Sequence, residues 1–88
     1  MYLQTFNKGP SDSLDYTIDW SAWLAADTIT ASTWNGGGLG VVSQTFTGTT
    51  ATVWVHGGDL GTSWIVTNTI TTAYGRTVTR SLQIVIAV

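Results

Sequence analysis

Cysteine and glutamate are absent from this chain of 88 residues, which also has a single histidine and a single proline. Without cysteine, no disulfide framework can stabilise the chain, although small secreted domains commonly depend on one. Few side chains remain that could act as a nucleophile, a general base or a metal ligand. These absences weigh against an enzyme and favour a protein that packs against or binds other molecules.

Charged side chains are scarce, with three basic and five acidic residues and a net charge of −2. A nucleic-acid-binding protein carries a clustered basic face, which so few basic residues cannot build. No N-terminal stretch resembles a signal peptide, and no apolar run reaches the length of about 18 residues that a membrane span needs. We therefore expect a soluble protein made in a reducing cytoplasm that binds neither nucleic acid nor membranes. Its weak surface charge suits a multi-copy assembly.

Large aromatic side chains are abundant, with five tryptophans, three tyrosines and two phenylalanines. A domain of this length buries only about 60–65% of the surface of its unfolded chain. Each fully buried aromatic side chain then contributes roughly 1.5–3 kcal/mol to stability. We expect residues 1–88 to form a single domain with a dense core, and with aromatic side chains left over for a partner.

Alternation of apolar and polar residues predicts an all-β fold. The clearest case is residues 14–20, where the two kinds strictly interleave, as in a half-buried strand. After it, Ser21 is placed to cap a single helical turn. The predicted strands are residues 2–6, 14–20, 27–33, 39–46, 51–56, 63–72 and 76–88. Residues 1–10 are expected to form an edge strand or an attachment arm.

Turn signals recur about every 8–12 residues, which is typical of a small sandwich. The sequence therefore predicts a seven-stranded antiparallel immunoglobulin-like β-sandwich. The apolar phase of the strands predicts its core, which comprises Leu14, Tyr16, Ile18, Trp20, Ile29, Val53, Val55, Trp64, Val66, Ile70, Leu82, Ile84 and Ile86.

Few residues are candidates for chemistry. His56 precedes two glycines and lacks the convergent partners that catalysis requires, so we interpret it as a surface or edge residue. Asp15, Asp19 and Asp27 could surround a calcium ion, but solvated carboxylates explain them more simply. The glycine-rich loop at residues 57–61 lacks the lysine of a phosphate-binding loop. The sequence predicts no catalytic residue, no cofactor and no metal.

Aromatic residues in the turns are the candidates for partner contacts. Trp23 falls in the short turn after residue 20, Trp34 precedes a run of glycines, and Tyr74 lies at the tip of the final hairpin. Exposed loop aromatics are frequent hot spots of protein interfaces. The competing interpretation of Trp23 is that it closes one end of the sandwich.

Four ordered blocks, residues 15–24, 51–58, 61–72 and 75–77, carry a family resemblance. Over residues 12–86 the chain resembles the small immunoglobulin-like virion proteins of tailed bacteriophages, which are described as fibre–tail adaptor or head-accessory proteins. The resemblance implies a non-enzymatic structural protein of the virion that joins a fibre to the tail or neck, or decorates the head. Its partners would be other virion proteins. The alternative function is a carbohydrate-binding module that stacks sugars on exposed tryptophans.

Overall fold

A computed structural model describes the backbone of residues 2–87 and the side chains of residues 4–87. Nearly all of the regular structure is β-strand, which confirms the all-β class. The elements in chain order are β1 (Tyr2–Lys8), β2 (Ser13–Asp19), α1 (Ser21–Leu24), β3 (Ile29–Asn35), β4 (Gly40–Phe46), β5 (Thr50–His56), β6 (Ser63–Thr72) and β7 (Thr77–Ile86).

The strands form two sheets. One sheet has four strands in the order β1-β7-β6-β3, and the other has three in the order β2-β5-β4. The prediction of purely antiparallel pairing is wrong for β1, which runs parallel to β7 with Phe6 opposite Ile84. Alternation within a segment reports which face is buried, and it carries no information on the direction of a distant partner strand.

The two sheets enclose one apolar core. The predicted core residues are buried except for Leu14 and Trp64. Leu14 is 37% exposed because β2 is an edge strand and this residue lies near its beginning. Trp64 is partly buried and packs against the core, and its indole nitrogen donates a hydrogen bond to Thr62 Oγ1 at 3.0 Å. The core also includes Leu24, Trp34, Leu39 and Ala51.

Lys8 anchors the end of β1 to the loop that follows β5. Its side chain is only 2% exposed, and its ammonium group donates hydrogen bonds to the carbonyl oxygens of Gly9 at 2.8 Å and Gly57 at 2.6 Å. A buried cation requires such partners, because an unpaired charge in the interior is very costly. The lysine therefore fixes the edge strand β1 to the rest of the sandwich.

The short helix α1 covers one end of the sandwich and buries Leu24. The prediction that Ser21 caps this turn is wrong, because Trp20 occupies the N-cap position and Ser21 is the first helical residue. The Ser21 N–H donates a hydrogen bond to Asp19 Oδ1 at 2.9 Å. This hydrogen bond lowers the pKa of Asp19. Among residues 2–87, no helix is long and apolar enough to cross a membrane.

Candidate functional site

Three connecting segments meet at the end of the sandwich that α1 covers, which we call the α1 end. They are the segment from α1 to β3, the β4–β5 turn and the β6–β7 turn. Backbone hydrogen bonds join them, since Ile29 N–H donates to Gly48 O at 2.9 Å and Ala73 N–H donates to Thr28 O at 2.9 Å. The α1 end is therefore a fixed surface built from loops of both sheets.

Asp27 holds the α1 end together. Its carboxylate is buried and accepts hydrogen bonds from the backbone N–H groups of Thr28, at 2.8 Å, and Tyr74, at 3.1 Å. Its other oxygen accepts two from the Arg76 guanidinium, at 3.0 and 2.8 Å. The expectation that Asp27 is a solvated carboxylate is therefore wrong, because the residue joins the β6–β7 turn to the start of β3.

The pKa of Asp27 reflects these contacts. Burial raises the pKa, but hydrogen bonds from Thr72, from Arg76 and from backbone N–H groups outweigh it and lower the pKa to about 2. Donors aimed at a carboxylate favour its charged form. Asp27 therefore stays ionised at neutral pH, where its carboxylate forms an ion pair with the Arg76 guanidinium.

Arg76 and Trp23 form the side wall of the α1 end. The guanidinium carbon of Arg76 lies 4.2 Å from the centroid of the Trp23 ring, within the range of a cation–π contact. Trp23 also meets the Trp20 ring edge-on, with centroids 5.7 Å apart. Trp23 is only partly buried, so it closes this end of the core and still presents surface to solvent. The packing agrees with the interpretation that Trp23 closes one end of the sandwich, and its contact with a partner remains a prediction.

Tyr74 is the most exposed large side chain of the α1 end. It is 69% exposed, at the tip of the β6–β7 turn. Its backbone N–H is held by Asp27, and its hydroxyl reaches the carbonyl oxygen of Ala26 at 3.5 Å. An aromatic ring on a fixed turn can bind a partner without a large loss of conformational entropy. Trp23 and Tyr74 thus lie at the same end of the sandwich, because Asp27 and Arg76 link the segment from α1 to β3 with the β6–β7 turn.

Trp34 does not lie on this surface. Its position before a run of glycines predicts an exposed aromatic side chain, but Trp34 is only 8% exposed and belongs to the core. The expectation of exposure is wrong because Trp34 lies within β3, opposite Asn68 of β6, on the side that faces the other sheet. The glycine run begins only after β3 ends at Asn35.

Exposed apolar side chains also occur on the three-stranded sheet, at Leu14 on β2, Trp54 on β5, and Val42 and Phe46 on β4. Leu14 and Phe46 lie opposite the core residues Val55 and Ala51, so they are exposed at the two edges of the sheet and do not share a face with Trp54. Trp54 occupies the middle strand, is 41% exposed and points away from the core that its neighbours Val53 and Val55 fill. Because Val53, Trp54 and Val55 are consecutive, alternation requires one face of β5 to carry an apolar group outward. The exposure of Val42 and Phe46 carried no comparable sequence signal.

The described residues offer little to a small ligand. Among residues 4–87, no group of three or more histidine or acidic side chains is placed to hold a metal ion, and no pocket is present. His56 is an exposed residue at the end of β5.

Comparisons with known proteins give one finding. No curated protein matches the chain. The sequence model of the family described as "Podophage GP4 fiber-tail adaptor protein gp77" matches residues 8–85. This match confirms the resemblance to phage fibre–tail adaptor proteins. Because the matched span covers most of the sequence, the chain belongs to this family of podophage fibre–tail adaptor proteins.

Proposed function

We propose that the chain is a non-enzymatic structural protein of a tailed phage particle, in which it joins a fibre to the tail. Membership of the fibre–tail adaptor family supports this role over decoration of the head. Its partners are other virion proteins, its location is the virion, and its synthesis takes place in the bacterial cytoplasm. A single immunoglobulin-like domain, present in several copies, performs the role.

The strand order supports the immunoglobulin-like assignment. In that fold one sheet contains the strands B, E and D, and the other contains C, F and G. The order β2-β5-β4 corresponds to B-E-D, and the order β3-β6-β7 corresponds to C-F-G. The added strand β1 lies beside β7. Trp34, buried on β3, takes the place of the tryptophan that immunoglobulin domains carry on strand C.

The α1 end is the proposed attachment surface, and the observation that carries it is the exposed Tyr74 ring on a turn that Asp27 fixes. Hot spots of protein interfaces are enriched in tyrosine, tryptophan and arginine, which are the side chains of Tyr74, Trp23 and Arg76. Trp34 takes no direct part in this proposal, since it is buried. It contributes instead to the core, near the end of β3 that lies away from the α1 end.

Substitution of Tyr74 tests the proposal. We expect Tyr74→Ala to leave stability within about 0.5 kcal/mol of the parent, because the ring is exposed. Loss of an interface anchor costs about 2 kcal/mol or more, which is a roughly thirtyfold loss of affinity. The measurement is the amount of adaptor and fibre in particles assembled without the native protein and supplied with each variant.

The matched control is Leu60→Ala. Leu60 is 60% exposed, similar to Tyr74, but it lies in the loop between β5 and β6, near the end of β1. We expect its particles to carry the normal amount of adaptor and fibre. Normal incorporation of a folded Tyr74→Ala variant would exclude the α1 end as the attachment surface centred on this ring.

The geometry does not favour the carbohydrate-binding alternative. A sugar platform uses coplanar exposed aromatic rings, whereas the rings of Trp20 and Trp23 meet edge-on and those of Phe6 and Tyr16 are tilted by 43°. Trp20 and Tyr16 are also buried. We therefore retain attachment to virion proteins as the proposed function.

A further inference from the structure

The strand β4 forms an exposed edge of the three-stranded sheet. It pairs with β5 on one side and ends the strand order on the other. Each of its seven residues is exposed except Val41, which is partly buried. Its sequence contains no charged residue and no proline, two of the features that natural proteins use to prevent edge strands from pairing with other chains. A bulge between Val41 and Ser43 interrupts its pairing with β5, so the regular part of the edge is Ser43–Phe46.

The other three edge strands are better protected. The edge strand β2 carries the exposed carboxylates of Asp15 and Asp19. The edge strand β1 ends in the inward-pointing charge of Lys8. The beginning of β3 is covered by the β4–β5 turn, where Ile29 N–H donates to Gly48 O. Self-pairing is thus least hindered at β4.

The hairpin geometry identifies which β4 backbone groups are free. Thr47 N–H donates to Thr50 O at 2.9 Å, so this pair is hydrogen-bonded across the β4–β5 hairpin. Pairs alternate along an antiparallel ladder, so the N–H of Thr45 faces β5 as well. The N–H groups of Gln44 and Phe46 therefore point away from β5, toward the open edge.

These positions allow two copies of β4 to pair with each other. An antiparallel pair of identical strands has a two-fold axis, and the free groups of Gln44 place that axis at this residue. Gln44 then lies opposite Gln44 of the second copy. Regular pairing then covers Ser43–Thr45 of each copy, and Phe46, which is 43% exposed, lies next to the bulge at Val42 of the second copy. An exposed apolar side chain thus flanks the axis on each side.

We propose that β4 is a self-association surface, at which two copies of this chain pair antiparallel about Gln44 to form a continuous six-stranded sheet. Electrostatic repulsion does not oppose the pairing, because β4 is uncharged and the whole chain carries a net charge of only −2. The contact is confined to one strand and its flanking side chains, well below the size of a standard stable interface. The dimer is therefore weak.

The test is sedimentation of the purified chain over concentrations from the micromolar to the millimolar range. We expect the native chain to pass from monomer to dimer. On dimerisation, amide hydrogen exchange should slow at Gln44 and Phe46, whose N–H groups become bonded, and change little at Thr45, which is already bonded to β5. A native chain that remains monomeric at every concentration would overturn the proposal. The β4 edge would then be available for pairing with a different chain.

Charge substitutions locate the contact. Gln44→Lys places two ammonium groups opposite each other at the axis, so we expect at least a tenfold weaker dimer. The matched control is Gln4→Lys, the same change at an exposed glutamine of the edge strand β1, and it should dimerise like the native chain. Equal weakening by both changes, or by neither, would contradict the assignment to β4.

A mixing experiment separates pairing from folding. Gln44→Glu alone should also dimerise at least tenfold more weakly, whereas an equal mixture of Gln44→Lys and Gln44→Glu should dimerise like the native chain, because opposite charges then meet across the axis. Failure of this mixture to dimerise, with both variants folded, would refute the register centred on Gln44. The proposal does not depend on the fibre–tail role, because it requires only the isolated chain.

Discussion

The indole nitrogen of Trp20 donates a hydrogen bond to the side-chain oxygen of Asn68 at 3.1 Å, inside the sandwich. The amide nitrogen of the same asparagine donates to Ser32 Oγ and to Thr33 O, both at 2.9 Å. Asn68 is fully buried, so one side chain on β6 connects the residue that precedes α1 to the edge strand β3. A buried polar group with these partners fixes how the two sheets are aligned.

Replacement of Asn68 by alanine should destabilise the fold. The change leaves the Trp20 N–H without its acceptor, and a buried unsatisfied group costs about 1–3 kcal/mol. Urea unfolding, followed by tryptophan fluorescence, measures this loss. The matched control is Asn7→Ala on β1, where the side chain is exposed and the expected change is within about 0.5 kcal/mol. Similar small losses for both variants would show that the Asn68 hydrogen bonds contribute little.

Stability should fall in acid because of Asp27. Its pKa is about 2 in the folded protein and 3.8 for an ordinary aspartate. Since the folded value is the lower one, the stabilisation is complete above about pH 4 and is lost as the pH falls toward about 2. Thermal unfolding midpoints between these limits measure the effect. Asp27→Asn should lower the midpoint at neutral pH and flatten the acid dependence, and an unchanged dependence would exclude Asp27 as its cause.

Loss of side-chain volume on the central strand β6 should destabilise the fold strongly. Ile70 is fully buried, and truncation of such a residue to alanine costs about 2–5 kcal/mol. That loss is a large fraction of the stability of a small domain. We expect circular dichroism to show that Ile70→Ala is largely unfolded at room temperature or melts far below the parent. The comparison is Ile65→Ala, since Ile65 is only partly buried. Equal melting of Ile70→Ala and the parent would contradict the burial of Ile70.

The parts of the fold that follow from local pattern were predictable from the sequence. Alternation in β5 and β7 identified Val53, Val55, Leu82, Ile84 and Ile86 as core residues, and all are buried. Alternation of apolar and polar residues identifies the buried face of a strand when the strand has neighbours on both sides. The same rule was wrong for Leu14, because an edge position leaves one flank open to solvent.

The candidate site depended on information that the sequence does not display locally. Asp27 and Arg76 are far apart in the chain, and nothing near either residue indicates that they pair. The predicted exposure of Trp34 is wrong because a nearby glycine run indicates a loop but does not locate the end of the preceding strand. Tyr74 was placed correctly at a turn, since its neighbour Gly75 is a clear turn signal and adopts a φ of 84°.

The loop between β3 and β4 should depend on the absence of a side chain at Gly37. Gly37 has a φ of 66°, and a Cβ atom there would collide with the backbone carbonyl oxygen of Ile65. Gly75 has a φ of 84° but faces open space, so Gly75→Ala incurs only the backbone strain of about 1–2 kcal/mol. Gly37→Ala incurs the same strain and must also displace β6 from the loop. We therefore expect a larger loss of urea stability for Gly37→Ala than for Gly75→Ala. Equal losses would show that the loop can move away from β6 at little cost.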